Sequence, residues 1–184
     1  MFPLAHLGIP LFFADIIGQK IAASTKDYTA PDFDKKKWGG GQFDPLILMS
    51  GCLFPDFIDK TLGMILFSSG RAIGHTLMLC IITSMIFLLF HSRKAGASFF
   101  LGYLSHLILD LPGVPWLWPI YPNDFEPTEN ALLHVNWLFN PWTLIFEIIG
   151  LGLLYILSLQ HRTEIHSWLE RTQLKINQKL QIME

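Results

Sequence analysis

At 184 residues the chain has the length of one domain. Apolar residues make up 51% of it and charged residues only 15%, against the roughly 25% typical of soluble domains, so the composition points to a membrane protein. A net charge of −2 offers no basis for binding nucleic acid, and two cysteines, Cys52 and Cys80, both in apolar segments, exclude a disulfide framework or a cysteine-based zinc motif.

Along the chain, hydropathy predicts five membrane segments, since about 20 apolar residues cross a bilayer and somewhat fewer suffice within a bundle. Residues 2–17 form the first, with His6 inside it and Asp15 near its end. This stretch lacks the basic start and the small-residue cleavage site of a signal peptide, so it is expected to stay on the protein. Residues 24–44, with a lysine run and Gly39, Gly40 and Gly41, read as a polar loop. The second segment, 45–67, is apolar apart from Asp56, Asp59 and Lys60. The third, 77–90, is strongly apolar, and the fourth, 99–111, contains His106 and Asp110. Residues 111–141 form a long loop in which Trp116, Trp118 and Tyr121 suit an interfacial aromatic belt. The fifth segment, 143–159, is interrupted only by Glu147, and residues 160–184 read as a polar amphipathic helix lying at the membrane or in water. The expected fold is therefore an all-α polytopic membrane bundle over residues 1–160 with a polar tail over 161–184.

Basic residues orient this bundle. Lys20, Lys26, Lys35, Lys36, Lys37, Arg93, Lys94, Arg162, Arg171, Lys175 and Lys179 all fall on one side of a five-segment topology, 11 of the 13 basic residues. The opposite side has Arg71, Lys60 lies within a segment, and the loop 111–141 has no Lys or Arg. By the positive-inside rule the basic side is cytoplasmic in a cell inner membrane, and the N-terminus and loop 111–141 face outward.

Ionisable groups inside apolar segments usually have a partner or a function. His106 and Asp110, four apart, share one face of a helix and suit zinc or a similar ion, or equally a hydrogen-bonded pair in a bundle core. Asp56 and Asp59, three apart, also share a face, and two such carboxylates repel unless a cation lies between them, one is protonated, or Lys60 provides the counter-charge. Pro55 beside them can break the helix and free backbone groups to line a polar cavity. His75 at the mouth of the third segment reads as a cap or a ligand, with Arg71 close enough in sequence to serve an anionic group. The topology, set by basic residues alone, puts His6, Asp59, His75, His106, Asp110 and Glu147 toward the outer side, with Asp56 near mid-membrane. That coincidence favours a shared metal site over unrelated core packing. His91, His161 and His166 fall on the other side and are left out of the site, and the half of the bundle on that side looks dry.

The series His6, then Leu53-Phe-Pro-Asp56 with Asp59, then Gly74-His-Thr76, then Gly102-Tyr-Leu-Ser-His106 with Asp110, resembles the inner-membrane family of metal-dependent hydrolases also described as LexA-binding. The likeness covers residues 1 to about 120, and the whole chain if the last helix is included. More distantly, the order His, Asp, His, His-x-x-x-Asp is similar to the zinc-dependent phospholipase C and P1 nuclease group. That likeness implies zinc-ligand roles for His6, Asp56, His75, His106 and Asp110, with His134 and Glu147 standing in for further ligands. The His-Arg-Gly start common before the third motif reads Gly70-Arg-Ala here. The implied activity is hydrolysis of a phosphoester or lipid-linked substrate with a divalent ion such as Zn2+, which lowers the pKa of water and polarises a phosphoryl or acyl oxygen. Asp59 or Glu147 would then act as general base or orient the water, and Arg71 would hold a phosphate. Membrane lipids and an amphipathic substrate are the expected partners. A transporter and a non-catalytic metal-binding protein are the competing classes.

Overall fold

The computed structural model describes residues 3–24, 37–67, 71–111, 113–121 and 140–183. It is all-α, with no strand among the described residues. Six helices carry the fold: α1 Pro3–Ser24, α2 Pro45–Ile58, α3 Leu77–Phe90, α4 Arg93–Leu109, α5 Pro141–Gln160 and α6 Arg162–Met183. Their starts follow local chemistry. Asp44, Thr76, Ser92 and Asn140 each accept a backbone N–H from the first turn of the helix that follows, and Pro45 and Pro141 occupy first positions where no N–H is needed. The α2 helix ends in a wide turn, Asp59–Gly63, before the short helix Met64–Phe67.

Helices α1 to α5 alternate in direction. Glu147 near the start of α5 meets Leu4 and Ala5 at the start of α1, and His161 just past its end meets Asp15 further down α1. Backbone N–H of Asp44, just before α2, meets Ser98 near the start of α4, while the carbonyl of Cys52 meets His106 near the end of α4. Helix pairs approach through glycine. A Cβ on Gly8 would strike the carbonyl of Gly150 between α1 and α5. A Cβ on Gly102 would strike that of Leu48, and one on Gly51 that of Phe99, between α4 and α2. Such small-residue contacts let backbones pack where lipid removes any hydrophobic drive for helix association.

The bundle buries many ionisable groups beside its apolar core and exposes large apolar side chains. His6, Asp15, Asp59, His75, His106, Asp110 and His161 are all buried. Meanwhile Ile81, Met85 and Leu89 of α3, and Ile148, Leu151 and Tyr155 of α5, are exposed. An apolar surface this extensive needs lipid to cover it.

The five-segment reading is corrected. Among the described residues two helices, α1 and α5, are long and apolar enough to cross a membrane. Helices α2 and α3 have 14 residues each, about 21 Å, against a hydrocarbon core of roughly 30 Å. The 17-residue α4 opens on Arg93 and Lys94. Hydropathy merged the second apolar stretch into one span because it cannot register the turn that Asp59 begins. Trp116 packs inward against the cluster of Cys80, Phe99, Tyr103 and Leu107 and accepts the backbone N–H of Leu77 on its carbonyl, while Tyr121 stays exposed.

Candidate metal centre

Four elements bring the predicted residues to one end of the bundle. His6 comes from α1 and Asp56 from α2, His75 from the short turn Ile73–His75 ahead of α3, and His106 from α4, which Asp110 caps. His6, His106 and Asp110 place ligand atoms within 4.8 Å of one another, and so do Asp56, His75 and His106.

The tautomers decide what this cluster accepts. His106 Nδ1 lies 2.6 Å from the carbonyl oxygen of Cys52, an acceptor only, so Nδ1 carries the proton and donates. His75 Nδ1 lies 2.7 Å from the carboxylate of Asp59 and donates likewise. In the neutral rings both Nε2 atoms then present lone pairs, and they face each other at 3.2 Å. Asp110 Oδ2 sits 3.4 Å from His75 Nε2 and 3.7 Å from His106 Nε2. Asp56 Oδ1 is 3.9 Å from the first and 4.0 Å from the second. Two nitrogen and two oxygen acceptors thus converge with no proton between them unless a ring takes one up. Tetrahedral zinc with bonds of about 2.0–2.1 Å separates its ligands by roughly 3.3 Å, so the donor set fits a divalent ion in type and spacing. His6 Nε2 stands 3.2 Å from Asp110 Oδ1, on the far side of that carboxylate.

The electrostatics agree. Burial disfavours charge on Asp110, yet the imidazoles of His6 and His75 beside it and the Arg71 guanidinium hold its carboxyl well below the usual carboxylate range. Burial alone would lower the His75 imidazole, but a ring protonated on both nitrogens donates to Asp110 as well as Asp59, which raises it above its ordinary value. The carboxylates gathered here draw positive charge, whether a proton or a metal ion.

The remaining predicted residues have definite places. Asp59 is fully buried and accepts from Ala72 N at 2.6 Å, Gly74 N at 2.7 Å and His75 Nδ1. Its lone pairs are taken up by the turn that carries His75 and by His75 itself. A carboxylate behind a histidine ligand is a recurrent outer shell of metal sites. Tyr103 donates to the Gly74 carbonyl at 2.5 Å and fixes the same turn. Glu147 accepts the N–H groups of Leu4, at 3.3 Å, and Ala5, at 2.9 Å, so it caps the turn of α1 that carries His6. Arg71 pairs with Asp110 Oδ2 at 3.3 Å while its side chain stays 40% exposed, and Lys60 pairs with Asp56 at 2.8 Å. His134 lies outside the described residues.

A family model described as YdjM inner membrane protein matches residues 1–169. The chain belongs to the YdjM inner membrane protein family. This is an inner-membrane family, as the ordered motifs suggested, and it accords with a bundle whose apolar side chains face outward. No curated protein and no solved structure matches the chain. In this member of the YdjM family, a second buried polar group went unread in the sequence. Asp15 Oδ2 lies 3.0 Å from His161 Nε2, and Asp15 Oδ1 accepts from Gly39 N at 2.6 Å. His161 Nδ1 is 3.5 Å from Glu164, which also accepts from Trp38 N at 2.9 Å. The signal was Asp15 itself, an acid in an apolar helix that requires a partner.

The positioning role of Asp59 is testable. Asp59→Asn is expected to weaken metal binding by roughly 10–100-fold, the usual effect of losing an outer-shell partner, while the protein stays folded. Competition titration with a chromogenic chelator measures this. Unchanged affinity would remove Asp59 from the site.

Proposed function

We propose that this protein is a membrane-embedded, metal-dependent hydrolase acting on a phosphoester or lipid-linked substrate at the outer face of the inner membrane. The observation that carries the reading is the convergence of His75, His106, Asp110 and Asp56 as acceptors beside a half-exposed Arg71. A divalent ion bound there, most simply Zn2+, would supply Lewis acidity for a phosphoryl or acyl oxygen. His75 and His106 would hold it through Nε2 and Asp110 and Asp56 through carboxylate oxygens, each histidine being oriented from behind. Arg71, which pairs with Asp110 at the edge of the site, would hold a substrate phosphate. Charge supports the outer placement, because Lys20, Lys37, Arg93, Lys94 and Arg162 all lie toward the opposite end of the bundle.

A transport path draws less support. The two buried polar groups lie at different levels of α1, His6 and Asp15 being about 14 Å apart along the helix. Leu11 and Ala14, between them on α1, pack with Leu48, Cys52 and Leu157 into a buried apolar cluster. That layer separates the groups instead of linking them.

The purified protein in lipid is expected to hydrolyse a phosphoester lipid weakly, with activity lost on chelation and restored by added metal. Arg71→Ala should lower the rate by about 100-fold, the scale for losing one charge-stabilising donor, with metal content retained. Robust turnover that survives a strong chelator would reject the metal mechanism. No turnover over a broad lipid panel, with metal bound, would favour a non-catalytic metal-binding role.

A further inference from the structure

Helix α6 is poorly explained by the metal centre. It starts directly after His161, the residue that ends the membrane-crossing candidate α5. Its take-off is fixed, because Asp15 holds His161 and Glu164 holds the Trp38 backbone. Beyond that anchor Ile165, Trp168, Leu169 and Ile176 recur at helical spacing and are all exposed, between 43% and 54%. The elbow between α5 and α6 forms an open groove of about 310 Å3 lined by Ser158, Leu159, Arg162, Ile165, His166 and Leu169. Arg162 and Arg171 are exposed on the helix, and Lys175 and Lys179 follow in the sequence.

We propose that α6 lies on the anionic phospholipid surface of the membrane, its apolar row of Ile165, Trp168, Leu169 and Ile176 sunk among the lipids and its basic residues on their headgroups. Two observations select this occupant. One is continuity: α6 begins where a membrane-crossing helix ends, so its first turn is already at lipid level. The other is charge: the four basic residues of α6 outnumber Glu164 and Glu170, and Glu164 is engaged by His161 and Trp38. A basic helix with an apolar face binds such a surface through buried area plus attraction to anionic headgroups.

The test uses the full chain in lipid nanodiscs, labelled with an environment-sensitive fluorophore at Ile176→Cys or, on the other side of the helix, at Gln178→Cys. Cys52 and Cys80 are buried. In phosphatidylglycerol-containing discs the label at position 176 should shift to the blue and be quenched by spin-labelled lipid, while the label at 178 stays aqueous. Neutralising Arg162 and Arg171 to Gln should move the bound-to-free ratio on the order of ten-fold, and high salt should act the same way. An aqueous signal at 176 in anionic discs would overturn the proposal. So would equal signals in anionic and zwitterionic discs, or a shift that follows protein concentration in detergent, which would mark a second copy as the occupant.

Discussion

Protein purified from metal-replete cells is expected to carry a divalent ion, and His75→Ala and His106→Ala are each expected to lose it. The two residues stand on different elements and share no sequence motif, yet their Nε2 atoms face each other at 3.2 Å with Asp110 beside both. Removing either should weaken binding by more than the roughly 10–100-fold attached to an outer-shell partner. Asp56→Ala should lower occupancy less, because its carboxylate is the most distant of the four donors and is shared with Lys60. Affinity should fall as pH falls, since protons compete for the same imidazole nitrogens. Elemental analysis of the purified variants, with circular dichroism to confirm folding, measures the outcome. If no metal accompanies the native protein, and His75→Ala and His106→Ala behave independently, the cluster is a hydrogen-bonded ion-pair network with a proton in place of the metal.

The site was more legible in the sequence than the membrane topology. His106 and Asp110 announced themselves by four-residue spacing in an apolar stretch, and His6, Asp56 and His75 by lying in or at the mouth of other apolar stretches. Each is a local signal, because an ionisable group among apolar neighbours stands out without knowledge of the fold. The roles behind the ligands were not legible in this way. Asp59 and Asp56 look alike in sequence, both acids near Pro55, and only the fold turns Asp59 back onto Ala72, Gly74 and His75. The Cys52 carbonyl that orients His106 leaves no trace in residue type. Glu147 read as a candidate base because its partners, the N–H groups of Leu4 and Ala5, are backbone atoms on a helix 142 or more residues away.

Helix number failed for a different reason. Hydropathy sums apolar character over a window and cannot tell a helix that crosses a membrane from a shorter one that packs beside it. The alternating directions of α1 to α5 nevertheless follow the order of segments, and the two-residue connection between α3 and α4 in particular favours antiparallel neighbours. The apparent dryness of the half of the bundle away from the metal centre was an error of the same kind. Asp15 and His161 are 146 residues apart and become visible as a buried pair only once α1 lies against the end of α5.

Gly102→Ala is expected to destabilise the protein and empty the metal centre together, while Gly152→Ala leaves both intact. A Cβ at Gly102 would meet the Leu48 carbonyl of α2 and stand 3.1 Å from the backbone nitrogen of Cys52. Backbone cannot move aside as a flexible side chain can, so α2 and α4 must separate. Overpacking of this kind typically costs about 1–3 kcal/mol. Here the cost carries a functional consequence, since Cys52 is also the residue whose carbonyl fixes His106 at 2.6 Å. Displacing α2 rotates that carbonyl away, releases His106 from its tautomer, and shifts Asp56 one turn further along the same helix. A Cβ at Gly152 of α5 meets nothing within 4 Å, and there alanine gains up to about 1 kcal/mol of helix propensity. Thermal unfolding and metal content, measured on both variants in the same detergent, separate packing from propensity. Equal stability and equal metal content in the two would mean that the close approach of α2 and α4 does not hold the centre together.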